Sequence, residues 1–319
     1  MESIGGFLPL ELAQGTGRHQ GAIALDLGRH ALEVILRVRG YHRLFVPRFT
    51  CDVLAPAIKH SGVELVLYDL DLQLDPVLPA HGIGSKDAVL YTNYFGLKTD
   101  TVTRIASTVE NLIVDAVQDF YGTAPAGVDH FVSCRKFFGV ADGAYLYCDA
   151  AGDLNLEAAD ATGRWEHLLT AGDRGTEAGF PRYQEHERLL EDAPIRGMSQ
   201  LTSRVMRSID HDRVIQARQQ NRDYLHTALG AFNRCPIDPA ASSVPMVYPF
   251  LSNDLGLRAR LQAARIYTAN YWPGLFAPLS AQDGARDFLD RAVYLPVDQR
   301  YGIAHMDRIL AVIMNPTGH

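Results

Sequence analysis

Short apolar runs alternate with helix-length amphipathic stretches through the first half of this chain, and that alternation constrains the fold more than any other feature. Ala22–Leu27, Leu44–Val46, Glu64–Asp69, Ala88–Asn93, Asn111–Asp115, His130–Val132 and Gly143–Cys148 are predicted strands, the last entered through the turn signal Asp142-Gly143. Residues 29–39 place Ala31, Leu32, Ile35, Leu36 and Val38 near helical spacing, and Cys51–His60 is a second predicted helix, with Pro56 inside it. Strands separated by helices of about ten residues require an α/β fold with a mostly parallel sheet covered on both faces.

The second half changes character. Leu154–Arg196 is polar and charged, and no strand is evident there. Residues 199–230 are helical in pattern, as two helices broken near Ser208-Ile209-Asp210. Beyond Cys235-Pro236 a smaller α/β unit is expected, with strand Met246–Leu251, helix Leu255–Ala264, a segment Ile266–Trp272 and a terminal helix from Gly302 to Met314. The expected division is a large domain over residues 1–210 and a small one over 211–319, with the long helix as hinge. A chain of 319 residues has length enough for both cores.

Composition excludes several classes. Hydrophobic residues make up 47% and charged residues 21%, which excludes disorder. The net charge of −7 argues against a nucleic-acid or anionic-membrane partner. No apolar run approaches the ~18 residues of a membrane span. Met1–Leu12 lacks the basic start and apolar centre of a signal peptide, so a cytoplasmic location is expected. Cys51, Cys134, Cys148 and Cys235 form no CxxC pair and are expected as free thiols, with no metal site.

The chemistry is carried by two stretches. Leu112-Ile113-Val114-Asp115 is an apolar run ending in a carboxylate, which sets Asp115 at the carboxyl end of a buried strand, where ligands bind in open α/β sheets. Further on, Lys136 stands between a strand and a glycine turn, flanked by Phe137 and Phe138. That flank is expected to desolvate the amine partly, which favours its neutral, nucleophilic form. The chain has only four lysines; Lys59 sits late in a helix and Lys86 and Lys98 in polar loops, so Lys136 is the best nucleophile. A nucleophilic lysine with a strand-end carboxylate is the pair that pyridoxal phosphate requires: the amine forms the Schiff base and the carboxylate keeps the ring nitrogen protonated. Gly28 and Arg29, between a strand and a helix, offer backbone N–H groups for the phosphate, and Ser133 a hydroxyl. Phe49, Cys51 and the Asn93-Tyr94-Phe95-Gly96 turn are candidates to line the ring. No GxGxxG, GxxxxGK[ST], HExxH or GxSxG motif competes.

In order, these pieces resemble the DegT/DnrJ/EryC1/StrS family of pyridoxal-phosphate-dependent sugar aminotransferases over nearly the whole chain. The family's "SGTxAL" corresponds to Leu27–Leu32, "VPxYTF" to Val46–Cys51, "HLYG" to Asn93–Gly96 and "DAAQ" to Asp115-Ala116-Val117-Gln118. Lys136 with Asp142-Gly143-Ala144 resembles the Schiff-base lysine and its glycine-rich turn, and Leu295–Tyr301 the "LPxHxG" turn.

The resemblance implies a fold-type I transferase and a homodimer with a shared site. Lys136 would carry the aldimine, Asp115 the ring nitrogen and Gln118 the ring hydroxyl, with Gly28 and Arg29 donating amides to the phosphate. The implied substrate is a small molecule, a keto-sugar that is nucleotide-linked, aminated with glutamate as donor in polysaccharide or antibiotic-sugar synthesis. Three positions depart from the pattern. The aromatic partner of the ring falls at Cys51. A serine five places before the lysine is Phe131, its phosphate contact either lost or taken by Ser133. The asparagine of the cross-dimer "YNxRL" loop is Met198, within Arg196–Thr202. The alternative is a pyridoxal-phosphate-binding or cofactor-free regulatory or interaction protein on the same scaffold. The family's dehydratase branch has histidine in place of the lysine, so Lys136 argues against it.

Overall fold

The computed structural model describes residues 6–237, 242–272, 274–275 and 278–315. Its main sheet contains β1 (Ile23–Leu25), β2 (Arg43–Pro47), β3 (Glu64–Leu70), β4 (Pro76–Val77), β5 (Asp87–Thr92), β6 (Leu112–Asp115), β7 (Asp129–Ser133) and β8 (Ala144–Tyr147). The spatial order is β1-β8-β7-β6-β5-β2-β3-β4. The five strands β3, β2, β5, β6 and β7 pair in parallel. β8 pairs antiparallel with β7 and β1, and β4 antiparallel with β3.

Both faces of this sheet are buried, as the apolar runs require. In β5, Ala88 and Leu90 join one apolar cluster and Val89 and Tyr91 the other. The first cluster holds the inward stripe of α1 (Gly28–Arg39) and of α2 (Ala55–Ser61). The second holds Val102 and Ile105 of α3 (Thr99–Ala106). α2 begins later than Cys51 because Pro56 fits only the first helical turn; residues 52–54 form a 3₁₀ turn instead.

The polar stretch 154–196 contains no named strand, as expected, and folds as a helical hairpin that the sequence pattern had not shown, α4 (Glu166–Arg174) and α5 (Thr176–Leu190). Its inward stripe, Gly179, His186 and Leu190, is too sparse and too polar to stand out from the sequence. α6 (Gln200–Ser208) and α7 (His211–Leu229) follow, and the expected break at 209–210 lies between them. Asp210 caps α7 by accepting from the Arg213 N–H at 3.0 Å.

The last part contains β9 (Val247–Leu251), α8 (Leu257–Ala263), α9 (Arg286–Asp290), β10 (Ala292–Pro296) and α10 (Ile303–Met314). β9 pairs antiparallel with β10. The segment Ile266–Trp272 contributes only a single bridge, Ala269 to Tyr294. Aromatic packing crosses residue 210: Phe49 lies edge-on to Trp272 at 4.8 Å, and Phe95 meets Tyr294 at 5.1 Å.

The stretch 196–202, expected to reach across a dimer, is committed to its own chain. The Gly197 N–H donates to Glu157 O at 2.9 Å, that of Met198 to Ala24 O at 3.2 Å and that of Ser199 to Asp142 Oδ1 at 2.9 Å. Met198 is in the core, and the buried Ser199 caps α6 by accepting from Thr202 N–H. Arg196, paired with Glu157, and the exposed Gln200 keep accessible side chains that could meet a neighbour. Met198→Asn, the change toward the family pattern, should therefore destabilise the fold by about 3 kcal/mol, since it buries an amide where a thioether packs. Urea unfolding of the two proteins checks this.

Candidate active site

The carboxyl ends of β5, β6 and β7 bring Thr92, Asp115 and Ser133 to one edge of the sheet, with Thr92 opposite Asp115 and Asp115 opposite Phe131 in register. Asp115 is 4% exposed. One carboxylate oxygen, Oδ1, accepts from the Val117 N–H at 3.0 Å, and no described residue bonds the other. Burial pushes this carboxyl up to about 6, against the opposing pull of the Val117 N–H and of the Lys136 charge. The same Lys136 charge acts on the Cys51 thiol, which burial pushes up. Asp115, Lys136 and Cys51 thus share one electrostatic neighbourhood.

Lys136 itself corrects an expectation. It ends a 3₁₀ turn, Cys134–Lys136, and its side chain is exposed in the single chain. The N–H groups of Phe137 and Phe138 both donate to Cys134 O, at 3.1 and 2.9 Å, and this tight turn sends both rings into the core. The flank therefore supports the turn from beneath and does not cover the amine. Lys98 is also corrected: it precedes α3, is buried, and pairs with Asp75 at 2.7 Å.

Gly28 opens α1 at the same edge. A Cβ there would lie 3.2 Å from Val117 Cγ1 and 3.6 Å from the Phe131 ring, so only glycine brings the backbone this close. Its N–H and that of Arg29 belong to the first helical turn, which has no intrahelical acceptors. The Arg29 guanidinium points elsewhere, donating to the Leu190 carbonyl at the end of α5, so its backbone alone faces this edge. Gln118 is buried and accepts from Phe95 N–H at 2.7 Å through Oε1. That bond orients the amide, and no described residue accepts from its NH₂. The Ser133 hydroxyl likewise has no partner among the described residues.

Two expected site residues turn away. Phe49 is fully buried, stacked on Tyr94 at 5.7 Å and edge-on to Trp272, so it packs the core and cannot face a bound ring. The Asn93 side chain is consumed internally: Nδ2 donates to Asp119 at 2.7 Å and to Thr99 at 3.2 Å, and Oδ1 accepts from Lys98 N–H. Cys51 stays half-buried at the edge, beside Lys136.

Sequence reasoning missed what lies over this edge. Tyr183 of α5 is in electrostatic reach of Cys51, and Glu187 pairs with Arg135, the residue before Lys136. His186 bonds Ala141 O at 2.8 Å. The α4–α5 hairpin thus holds the loop that carries Lys136. The spacing of Gly179, Tyr183, His186 and Leu190 is the signal that could have revealed it. Thr50 and Thr92 are also new, each with a buried hydroxyl that has no hydrogen-bond partner among the described residues.

Among the described residues, Asp129, Cys148 and Asp149 form one cluster of metal-ligand spacing. It is filled by Arg39, which donates to Asp129 at 2.7 and 2.8 Å and also to Asp149. No described helix is long and apolar enough to cross a membrane.

This architecture defines a class: the chain has the fold of the DegT/DnrJ/EryC1/StrS-type aminotransferases, as the sequence resemblance led us to expect. Solved structures that share it include a DegT DnrJ EryC1 StrS aminotransferase from Brucella abortus, with a TM-score of 0.63 and 20% identity over 93% of this chain and 86% of that one. The sugar aminotransferase CalS13 from Micromonospora echinospora superposes with a TM-score of 0.62 at 13% identity, covering 92% and 86%. NtdA from Bacillus subtilis, with bound PMP, gives 0.65 at 14% identity, covering 94% and 73%. No family model and no curated protein sequence matches the chain.

The Asp115 carboxyl generates a test. Folding raises its pKa from the ordinary 3.8 to about 6, so the folded chain binds this proton more tightly than the unfolded chain does. Its contribution to stability is present below about pH 4, is lost as pH rises through 6, and amounts to about 3 kcal/mol over that window. In cofactor-free protein, Asp115→Asn should remove this share of the decline. Asp119, also raised to about 6, declines in both proteins and cancels from the difference. Unfolding free energies measured from pH 4 to 8 would show parallel curves if Asp115 were not buried as described.

Proposed function

We propose that this chain is a pyridoxal-phosphate-dependent aminotransferase of a keto-sugar, nucleotide-linked, with glutamate as amino donor, working as a cytoplasmic homodimer. The observation that carries the reading is the buried Asp115 carboxylate, one oxygen without a partner among the described residues, within electrostatic reach of an exposed lysine. The site fits the cofactor on its own terms: an acceptor oxygen for a ring nitrogen, an oriented amide NH₂ at Gln118, a free hydroxyl at Ser133, and amides at a glycine-opened helix N-terminus for a phosphate. Support for a sugar substrate comes from the neighbours described as sugar aminotransferases, and support for the cofactor from the neighbour with bound PMP.

Pyridoxal phosphate supplies an electron sink for the negative charge formed when a substrate C–H bond breaks. Lys136 Nζ would be the amine that binds its aldehyde and, when free, the base that moves the proton. Asp115 would hold a proton at the ring nitrogen. A cation at that point favours the ionised carboxylate and offsets the burial that raises its pKa. Gln118 would donate to the ring hydroxyl, and Gly28, Arg29 and Ser133 would hold the phosphate. Cys51, where the family pattern has an aromatic residue, is near Lys136 and Asp115 and would line the cofactor site. The division into domains 1–210 and 211–319 would allow closure over the substrate.

A second reading, a protein that binds the cofactor without transaminating, is favoured by Val117 and Phe131, which bring apolar surface against Gly28. One experiment separates the two. Reconstituted wild type should absorb visible light and, after borohydride, carry the pyridoxyl mass on the Lys136 peptide; Lys136→Ala should carry none. Asp115→Asn should still bind but lose glutamate-dependent turnover by on the order of 10²-fold or more. A colourless, unlabelled wild type overturns the proposal, and a labelled wild type inert toward amino donors selects the second reading.

A further inference from the structure

We propose that Arg218 is a positioning residue for Lys136, acting through the peptide that follows the lysine. This rests on Lys136 being the amine that binds the aldehyde. Arg218 projects from α7 and is 1% exposed. Its Nη2 donates to Phe137 O at 3.3 Å, its Nη1 to Pro245 O and Met246 O at 3.1 and 3.2 Å, and its Nε to Gln299 Oε1 at 2.9 Å. The guanidinium also lies over the Phe137 ring, 4.3 Å from its centre. Gln299 in turn donates from Nε2 to the same Phe137 carbonyl at 2.8 Å.

Every group of Phe137 is therefore held. Its N–H bonds Cys134 O, its carbonyl takes two donors, and its ring lies under a cation. Lys136 hangs from the preceding Cα, so the backbone origin of its long side chain is fixed by this clamp.

A purely structural role for the cation is a poor account. Arg218 hydrogen-bonds only neutral oxygens, and the nearby Asp298 carboxylate is engaged by Arg300 at 2.7 and 2.9 Å. A buried guanidinium with no directly bonded carboxylate is costly to desolvate, and an apolar side chain would fill the space at less cost. Nor is it needed to tie α7 to residues 297–301. Asn221 already does that, donating to Val297 O, Asp298 O and Tyr301 O at 3.2, 3.4 and 3.0 Å. What Arg218 adds is a link from α7 and the start of β9 to the turn that carries Lys136.

The test compares two events on the full chain. Pyridoxamine phosphate binds without needing the lysine, whereas pyridoxal phosphate is captured by it. Arg218→Met should bind pyridoxamine phosphate as wild type does, yet capture pyridoxal phosphate more slowly by on the order of 10-fold to 10²-fold, followed by absorbance and borohydride labelling. The pH midpoint of the visible band should also move. Arg218→Lys, which keeps one donor, should recover part of the rate. Gln299→Leu, removing the other donor to the carbonyl, should slow capture in the same direction and decides the matter if Arg218→Met does not fold. A lowered melting temperature with an unchanged capture rate and pH midpoint would overturn the proposal and leave Lys136 as the amine. Absence of capture by wild type would overturn both.

Discussion

Placing a carboxylate at the end of a strand buried on both faces is the constraint around which the rest of the site is arranged. In water Asp115 would ionise freely; at the end of β6 burial pushes it up to about 6. Only two influences oppose that shift, the Val117 N–H and the charge on Lys136. Both exist because of the connections that leave β6 and β7. The first residues after Asp115 turn back so that an amide caps the carboxylate, and the 3₁₀ turn after β7 brings Lys136 to the same edge. The group is thus poised to favour a cationic partner, since a positive charge at its free oxygen would stabilise the ionised form that the interior disfavours.

The strands were legible for the same reason that they bury the carboxylate. A parallel sheet covered on both faces needs apolar side chains on both sides, so β5 and β6 appear as runs that periodicity cannot miss. β10 was missed as a strand because its pairing with β9 is antiparallel and distant in sequence, which no local pattern reports. The α4–α5 hairpin was missed because much of its inward surface is polar, including the stacked imidazoles of His167 and His186 with ring centres 4.5 Å apart.

Within the site, residues whose backbone does the work were legible, and residues whose side-chain direction matters were not. Gly28, and Asp115 at a strand end, follow from chain geometry. Phe49 and Asn93 stand in motif positions but rotate into the core and into an Asp119–Thr99 network respectively, and nothing in the local sequence reveals those partners. Arg218 and Gln299 lie 82 and 163 residues from Lys136, so only the folded chain brings them to its turn.

The departures from the family pattern act together. Phe131 replaces a hydroxyl with a ring against Gly28, and Met198 replaces an amide with a thioether packed in the chain's own core. Under the proposed function neither side chain offers a polar group to a phosphate, and its recognition would shift onto the α1 amides and the Ser133 hydroxyl. A helix N-terminus can bear that load, because its amides and dipole are fixed by the fold and need no side chain to hold them. The same shift makes the rigidity of α1 matter more. Its first turn is braced by the buried Asp26, whose Oδ1 lies 2.6 Å from His30 Nδ1 and whose carbonyl accepts from Gly143 N–H at 2.5 Å. Asp26 therefore ties the start of α1, where the proposed function puts the phosphate, to the glycine turn that closes the Lys136 loop.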